Sequence, residues 1–239
     1  MIRFLFLAFC LNTQAFAGLT LEEAKSNLQE QLNLLDKITP FIMRYDEPRL
    51  YVLKKSNLEV INSIDKNGLH MITLSTIQTT INRFRHSRAY FDRISMENTS
   101  ELIKQLIIKS DTIAKDFGID DDPYTHFIQI TFKIIKENID LLLDSNPSDE
   151  LREAIQDILP LISNTLVAAS TGDRPKAFFA GREAYNALEA TNPIFYKIQS
   201  ASSNYKLVLE IQGQAQLFSE YAQTEWWDEY EATHEKSDQ

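Results

Sequence analysis

Apolar side chains recur at steps of three and four residues along most of this chain, and this spacing constrains the fold more than any other feature. The first such stretch shows one apolar face, formed by Leu21, Ala24, Leu28, Leu32, Leu35, Ile38 and Ile42. Residues spaced in this way share one side of an α-helix, and that side must be buried against other elements. The pattern predicts amphipathic helices throughout the chain.

Breaks between these stretches are few, because the 239 residues include only six Gly and seven Pro. The breaks fall near residues 46, 68, 96, 119, 146, 172 and 192. The connections between consecutive helices are therefore short, and short connections make consecutive helices pack antiparallel. We predict an all-α fold of about seven or eight helices, either an antiparallel multi-helix bundle or stacked helical hairpins.

Local patterns add detail to this fold. Thr20 and Glu23 have the spacing of a capping box at the start of the first helix. One helix is expected from about Leu69 to Ser95. Residues 127–143 are apolar around most of the helix circumference, which is typical of the central helix of a bundle. Asn192-Pro193 is expected to begin the final long segment.

The N-terminus has the pattern of a secretory signal. Arg3 precedes an apolar run over residues 4–11, and Ala15-Phe16-Ala17 supplies small residues at a cleavage site. We predict that residues 1–17 are a signal peptide and that the mature chain is periplasmic or secreted. A membrane anchor needs about 20 apolar residues, more than this run provides. A lipoprotein signal at Cys10 is the other alternative, although Phe9 is bulky where a small residue is required.

We expect residues 18–230 to form a single α-helical domain, with a possible seam near 118–122, followed by a flexible polar tail over 231–239. Cys10 is the one cysteine of the chain. Cleavage after Ala17 leaves a mature chain without a thiol, and therefore without disulfides or Cys-ligated metals. An exported chain without cysteines fits a bacterial periplasm best.

The chain is acidic, with 24 Lys and Arg against 34 Asp and Glu and a net charge of −10. This charge repels phosphate backbones, so we expect no nucleic-acid partner. We expect no transmembrane segment in the mature chain. The oligomeric state is left open.

One concentrated basic stretch stands out, with Arg83, Arg85, Arg88, Tyr90 and Arg93 as its candidate binding residues. Guanidinium groups recognise carboxylates and phosphates through paired hydrogen bonds. The stretch can bind an anionic ligand or an acidic partner. The alternative is pairing with Asp and Glu of the same chain, including Asp92 one turn after Arg88.

A second candidate surface lies near the C-terminus, where Trp226, Trp227 and Tyr230 stand among acidic residues. Adjacent residues of an α-helix point about 100° apart, so a core cannot easily bury both indoles. An exposed Trp is a common anchor of protein interfaces. The alternative is that one indole docks on the bundle and the other covers its rim.

Three patterns suggest cofactors only weakly. Residues 120–122 are acidic and precede His126, but acidic residues also cap helices. Glu231 and His234 have the spacing of a di-iron ligand pair, which occurs once in the chain. His and Met residues offer haem ligands without a spacing that selects a pair. We therefore expect no metal site, no cofactor and no catalytic residues.

These observations favour an exported, non-enzymatic helical protein that binds another protein or a cell-envelope component. A chaperone or inhibitor that covers an exported partner is one form of this hypothesis. The alternative is a helical bundle that binds a small ligand, a metal or haem, or an enzyme without a recognisable motif. The sequence resembles no family that would decide between them.

Overall fold

The computed structural model describes residues 20–67, 71–95, 99–117, 124–198 and 202–234. Over these residues the chain forms helices and turns, without a strand. The helices are, in chain order, α1 (Leu21–Ile38), α2 (Glu47–Asn67), α3 (Met71–His86), α4 (Arg88–Arg93), α5 (Ser100–Phe117), α6 (Tyr124–Asp144), α7 (Asp149–Ser170), α8 (Arg174–Phe195) and α9 (Tyr205–His234). Two short 3-10 turns, Thr39–Phe41 and Arg44–Asp46, lie between α1 and α2. The predicted all-α multi-helix fold is confirmed.

The capping box predicted at the start of α1 is also confirmed. The backbone N–H of Glu23 donates to the Thr20 hydroxyl at 3.3 Å, and the backbone N–H of Thr20 donates to the Glu23 carboxylate at 2.7 Å. Two N–H groups that lack helical partners are thereby satisfied. This local pairing fixes where the first helix begins.

The described chain divides into two compact units. Unit 1 consists of the described residues up to 40 and those within 54–88 and 95–121. Unit 2 consists of residues 41–53, residues 89–94 and the described residues from 122 onward. Neither unit is one continuous stretch of sequence. The seam expected at 118–122 lies outside the described residues, as do residues 1–17 and the tail beyond His234.

Unit 1 packs α1 and α3 against α5. Its apolar core is rich in β-branched side chains and contains Leu28, Val60, Ile61, Ile64, Ile77, Ile81 and Ile113. A buried polar contact joins α1 to α5, where the Gln31 amide donates to the Ser110 hydroxyl at 2.6 Å. Burial of these side chains stabilises the unit by removing apolar surface from water.

His86 ends α3 and is one of the buried polar residues of unit 1. Burial, together with the smaller effect of the neighbouring Arg85 charge, lowers the pKa of its imidazole from 6.5 to about 3. The imidazole is therefore neutral in the folded chain near pH 7. It was one of the histidines that the sequence offered as a haem ligand.

We expect acid to destabilise the fold through His86. As the pH falls below 6.5, the unfolded chain binds this proton first, so stability is lost progressively between pH 6.5 and about 3. At pH 5.5 the loss in the free energy of unfolding is about 1 kcal/mol. Urea unfolding at pH 7.5 and 5.5 measures it.

The matched variants for this prediction are His86→Gln and His126→Gln, the second at an exposed position of α6. His86→Gln removes the titrating group, so its stability should change less between the two pH values than that of the wild type. His126→Gln should keep the full acid sensitivity. Equal losses in the wild type and in His86→Gln would contradict the prediction.

Unit 2 is built mainly from α6, α7, α8 and α9. Helix α7 packs against α6 and α8, and α9 packs against the same two helices. The turns that connect α6 to α7 and α7 to α8 are short, so these consecutive helices run antiparallel. Aromatic rings fill the interior, and those of Phe132 and Phe218 meet edge to face with centroids 5.1 Å apart.

Gly181 allows α8 to approach α9 closely. A Cβ atom at Gly181 would lie 2.7 Å from the tip of the Phe218 ring, which is fully buried. Real Cβ atoms do not tolerate this distance, so a larger residue would displace the ring. The close packing of α8 against α9 therefore depends on the absence of a side chain at Gly181.

Helix α6, which carries residues 127–143, packs against α7, α8 and α9, as expected of a central helix. The stretch that is buried on all sides nevertheless lies in α9. Every residue from Val208 to Phe218 is buried, whereas α6 exposes a stripe that includes Lys133 and Leu141. Polar side chains of α9 are tolerated inside because they bond to one another, as Gln214 does to Glu210 at 3.0 Å. Apolar content alone therefore does not show which helix is buried on all sides.

Two predicted boundaries also differ from the structure. The helix expected from Leu69 to Ser95 is divided at Ser87. The Ser87 hydroxyl donates to the Arg83 carbonyl at 2.8 Å and so satisfies one of the acceptors at the end of α3. Pro193 lies inside α8, and the last helix begins at Tyr205. Proline is tolerated there because it removes one backbone bond close to the helix end.

Candidate binding site

The structure divides the predicted basic stretch between the two units. Arg83, Arg85 and Arg88 belong to unit 1, whereas Tyr90 and Arg93 belong to unit 2. Within unit 1 the side chains differ in exposure: Arg83 is buried, Arg85 is half-buried and Arg88 is exposed.

Arg83 and Arg88, the first and last arginines of the unit 1 group, both contact other residues of that unit. Arg83 donates to the hydroxyl of Ser56, and the Arg88 guanidinium lies 3.9 Å from the Asp111 carboxylate. An exposed pair at this distance contributes little to stability. Arg88 is therefore the member of the group whose charge remains most accessible to a partner.

Tyr90 and Arg93 form part of a cluster in unit 2 in which Tyr90 is buried and Arg93 is exposed. The Tyr90 side chain is 0% exposed, and the guanidinium carbons of Arg49 and Arg93 lie 4.7 and 5.6 Å from the centre of its ring. Such cation–π contacts are most favourable where water is excluded. Tyr90 is thus a packing centre for two cations.

Two carboxylates balance these cations. A single Arg93 nitrogen lies 3.0 Å from Asp46 and 3.3 Å from Glu220. Arg49, which is 2% exposed, pairs with the same Glu220. We refer to Asp46, Arg49, Tyr90, Arg93 and Glu220 as the ion-pair cluster.

The cluster joins three parts of unit 2, namely residues 41–53, residues 89–94 and α9. Arg49 donates a further hydrogen bond of 2.7 Å to the backbone carbonyl of Gln216 in α9. Burial raises the pKa of Asp46, an effect that the Arg93 and Arg49 charges oppose. Burial also raises the pKa of Tyr90, so its phenol stays protonated. These are the properties of a structural network with internally balanced charge.

We expect Arg49→Leu to lower the free energy of unfolding by about 3 kcal/mol, because it leaves buried carbonyl and carboxylate oxygens without their donor. Arg88→Leu is the matched control, since its exposed pair should contribute less than about 1 kcal/mol. Urea denaturation of both variants at pH 7 measures the difference. Similar small losses in the two variants would show that the cluster does not stabilise unit 2.

A second feature of unit 2 is an exposed group of large apolar side chains around residues 41–45. Phe41 is 47% exposed, Met43 66% and Tyr45 42%, and Tyr196 follows at 36%. We refer to these four residues as the apolar surface. Aromatic residues and Met are enriched in protein interfaces compared with the rest of protein surfaces.

Hydrogen bonds to backbone carbonyls hold the apolar surface in place. The Gln216 amide donates to the carbonyl of Tyr45 at 2.7 Å, and Arg44 donates to the carbonyl of Tyr196 at 3.0 Å. The N–H of Asp46 donates to the carbonyl of Met43 at 2.9 Å, which closes the 3-10 turn. A surface that is fixed before binding loses less entropy on association.

Unit 1 contains an open groove of about 500 Å³ between α1 and α5. Its lining residues are mostly polar in type and include Asn33, Lys37, Gln105 and Lys109, with Ile108 as an exposed apolar residue. The surface that they present to the groove is nevertheless mainly apolar, and both this and the volume are in the range of small-molecule sites.

Several predicted residues fall outside what the structure describes. The backbone of Trp226, Trp227 and Tyr230 belongs to α9, but their side chains are outside the described part. Residues 120–122 lie outside it as well. Among the residues that were described, His, Cys, Asp and Glu nowhere form a group of three that could hold a metal ion.

Phe41, Met43, Tyr45 and Arg49 were not among the residues predicted from the sequence. Phe41 and Met43 follow Pro40, which lies in the 3-10 turn after α1, and a proline is a signal for a loop. Arg49 stands one helical turn before Leu53 on the inward stripe of α2, and a cation at such a position is a signal for a buried ion pair.

No protein-family model, curated protein or solved structure matches this chain. Within the described part of the chain, no helix is long and apolar enough to span a membrane.

Proposed function

We propose that the mature chain is an exported, non-enzymatic protein that binds another protein or a cell-envelope component through the apolar surface. The observation that carries this proposal is the exposure of Phe41, Met43 and Tyr45 on one short segment of unit 2. Exposed clusters of large apolar side chains on a soluble unit are typical of interaction sites. The pattern of residues 1–17 supports export.

The fixed backbone of this segment adds support. Hydrogen bonds from Gln216 and Arg44 restrain the two ends of the apolar surface, and the ion-pair cluster adjoins it at Asp46. A rigid aromatic patch gives large contact area with little loss of conformational freedom. The basic stretch around Arg88 and the Trp226–Trp227 end remain predicted binding surfaces.

The binding proposal is tested by cross-linking the purified mature chain to the exported fraction of the producing cells. The double variant Phe41→Ser, Met43→Ser should reduce a specific captured component by at least about fivefold, because truncating interface anchors costs more than about 1 kcal/mol each. Val167→Ser is the matched control, since Val167 is equally exposed on α7.

The outcomes separate the candidate surfaces. Capture that is unchanged in the double variant would contradict the proposal, and capture lost in Arg88→Glu instead would favour the basic stretch. A second candidate function is ligand binding in the groove between α1 and α5. It is favoured if the captured material is a small molecule whose retention depends on Ile108.

Export is tested by intact-mass measurement on native material from fractionated cells. We expect a mature chain that begins at Gly18 and lies outside the cytosol, because Ala15 and Ala17 meet the requirement of signal peptidase for small residues. Ala15→Leu should block the cut and leave Met1 in place. Finding Met1 on the cytosolic wild-type protein would overturn this part of the proposal.

A further inference from the structure

The groove between α1 and α5 is formed by residues of unit 1 alone. On α1 it is lined by Asn27, Glu30, Leu34 and Lys37, which follow one another at steps of three and four residues. Residues at these steps lie in a line along one face of a helix. Glu30 and Lys37 are two helical turns apart, which is about 10 Å along the axis. The groove therefore presents an elongated surface to a ligand.

The two lysines that line the groove differ in their partners. The Lys109 ammonium donates to the side-chain oxygen of Asn27 at 3.1 Å and pairs with the Glu30 carboxylate, so its charge is balanced within the groove. Lys37 is exposed, and its ammonium has no hydrogen-bond or ion-pair partner among the residues that the structure describes. The groove therefore holds one positive charge that is available to an anionic ligand.

Most of the surface inside the groove is apolar. Leu34 lines the groove although it is only 8% exposed, and Ile108 of α5 lines it with a side chain that is 56% exposed. Covering an aliphatic side chain that is exposed to this extent is favourable, because apolar surface leaves water. Apolar surface in the same groove as an available cation is complementary to an aliphatic chain that ends in a carboxylate.

The distribution of charge along the chain also permits an anion to approach unit 1. The sequence ranges of unit 1 contain 12 Lys and Arg and 12 Asp and Glu, so the net charge of −10 is carried by unit 2. Exposed charges act over about 8 Å at physiological ionic strength, and those of unit 1 therefore dominate near the groove. Repulsion of an anion is thus weaker there than the composition of the whole chain indicates.

We propose that this groove binds a small aliphatic monocarboxylate, whose carboxylate pairs with Lys37 and whose chain covers Leu34 and Ile108. A chain of about eight carbons spans the two helical turns from Lys37 to Glu30. A second carboxylate at the far end of the ligand would face the pair of Glu30 and Lys109, whose charges already balance one another. The inference names the ligand class for the second candidate function, and it rests on that candidate rather than on the apolar surface of unit 2.

The experiment titrates the purified chain, labelled with ¹³C at the methyl groups of isoleucine, with octanoate. Octanamide is the neutral control of the same length, and acetate carries the charge without the chain. The Ile108→Val variant assigns the Ile108 methyl resonances. We expect octanoate to shift these resonances saturably, at a concentration at least about fivefold lower than either control requires. No response to octanoate, or an equal response to either control, would overturn the inference.

The matched variants are Lys37→Gln and Lys104→Gln, the second at an exposed position of α5 outside the groove. Lys37→Gln should weaken octanoate binding by about fivefold, the upper end for an exposed ion pair, and should leave the response to octanamide unchanged. Lys37→Arg, which keeps the charge, should bind octanoate as the wild type does, and so should Lys104→Gln. Wild-type affinity for octanoate in Lys37→Gln, or an equal loss in Lys104→Gln, would also overturn the inference.

The results are distinguishable from failure of the proposed function. If the Phe41→Ser, Met43→Ser variant loses its captured component while octanoate does not bind, the apolar surface is an interface and the ligand inference is wrong. If octanoate binds through Lys37 while capture is unchanged in that variant, the groove is a ligand site and the proposed function fails.

Discussion

The buried guanidinium of Arg49 is the interaction on which the described arrangement of unit 2 depends. It stacks on Tyr90, pairs with Glu220 and donates to the carbonyl of Gln216, so it joins three segments that are far apart in sequence. A charge removed from water is tolerated only where all such partners are in place. The cluster therefore fixes residues 41–53 on α9. Because this segment carries most of the apolar surface, the cluster also fixes the position of that surface.

Periodicity was sufficient to predict the helices, since a buried face imposes its spacing on the sequence whatever the neighbours are. It could not predict which stretch is buried on all sides. Residues 127–143 are more apolar than residues 208–218, but the latter are buried all round because Gln212, Gln214 and Gln216 find partners inside. Side-chain pairing of this kind depends on tertiary contacts, and a single sequence does not display it.

The site was less predictable than the fold for a related reason. A run of arginines indicates positive charge but not burial, and the structure places Arg83 inside unit 1 and Arg93 in an ion-pair cluster. The Gln216 side chain donates to the Tyr45 carbonyl across 171 positions of sequence, a separation that no local motif spans. The one local signal was Pro40, which ends a helix and opens the segment that carries the apolar surface.

Neither unit corresponds to a continuous piece of the gene. Residues 41–53 and 89–94 belong to unit 2, although the chain on both sides of each belongs to unit 1. A product truncated after α5 would retain Arg49 and Tyr90 but would lack α9, leaving a desolvated cation without its counter-ion. During synthesis the same two segments cannot complete their contacts in unit 2 until the last helix has been made. Dissection of this molecule therefore calls for fragment complementation, with both halves supplied together, rather than for isolated domains.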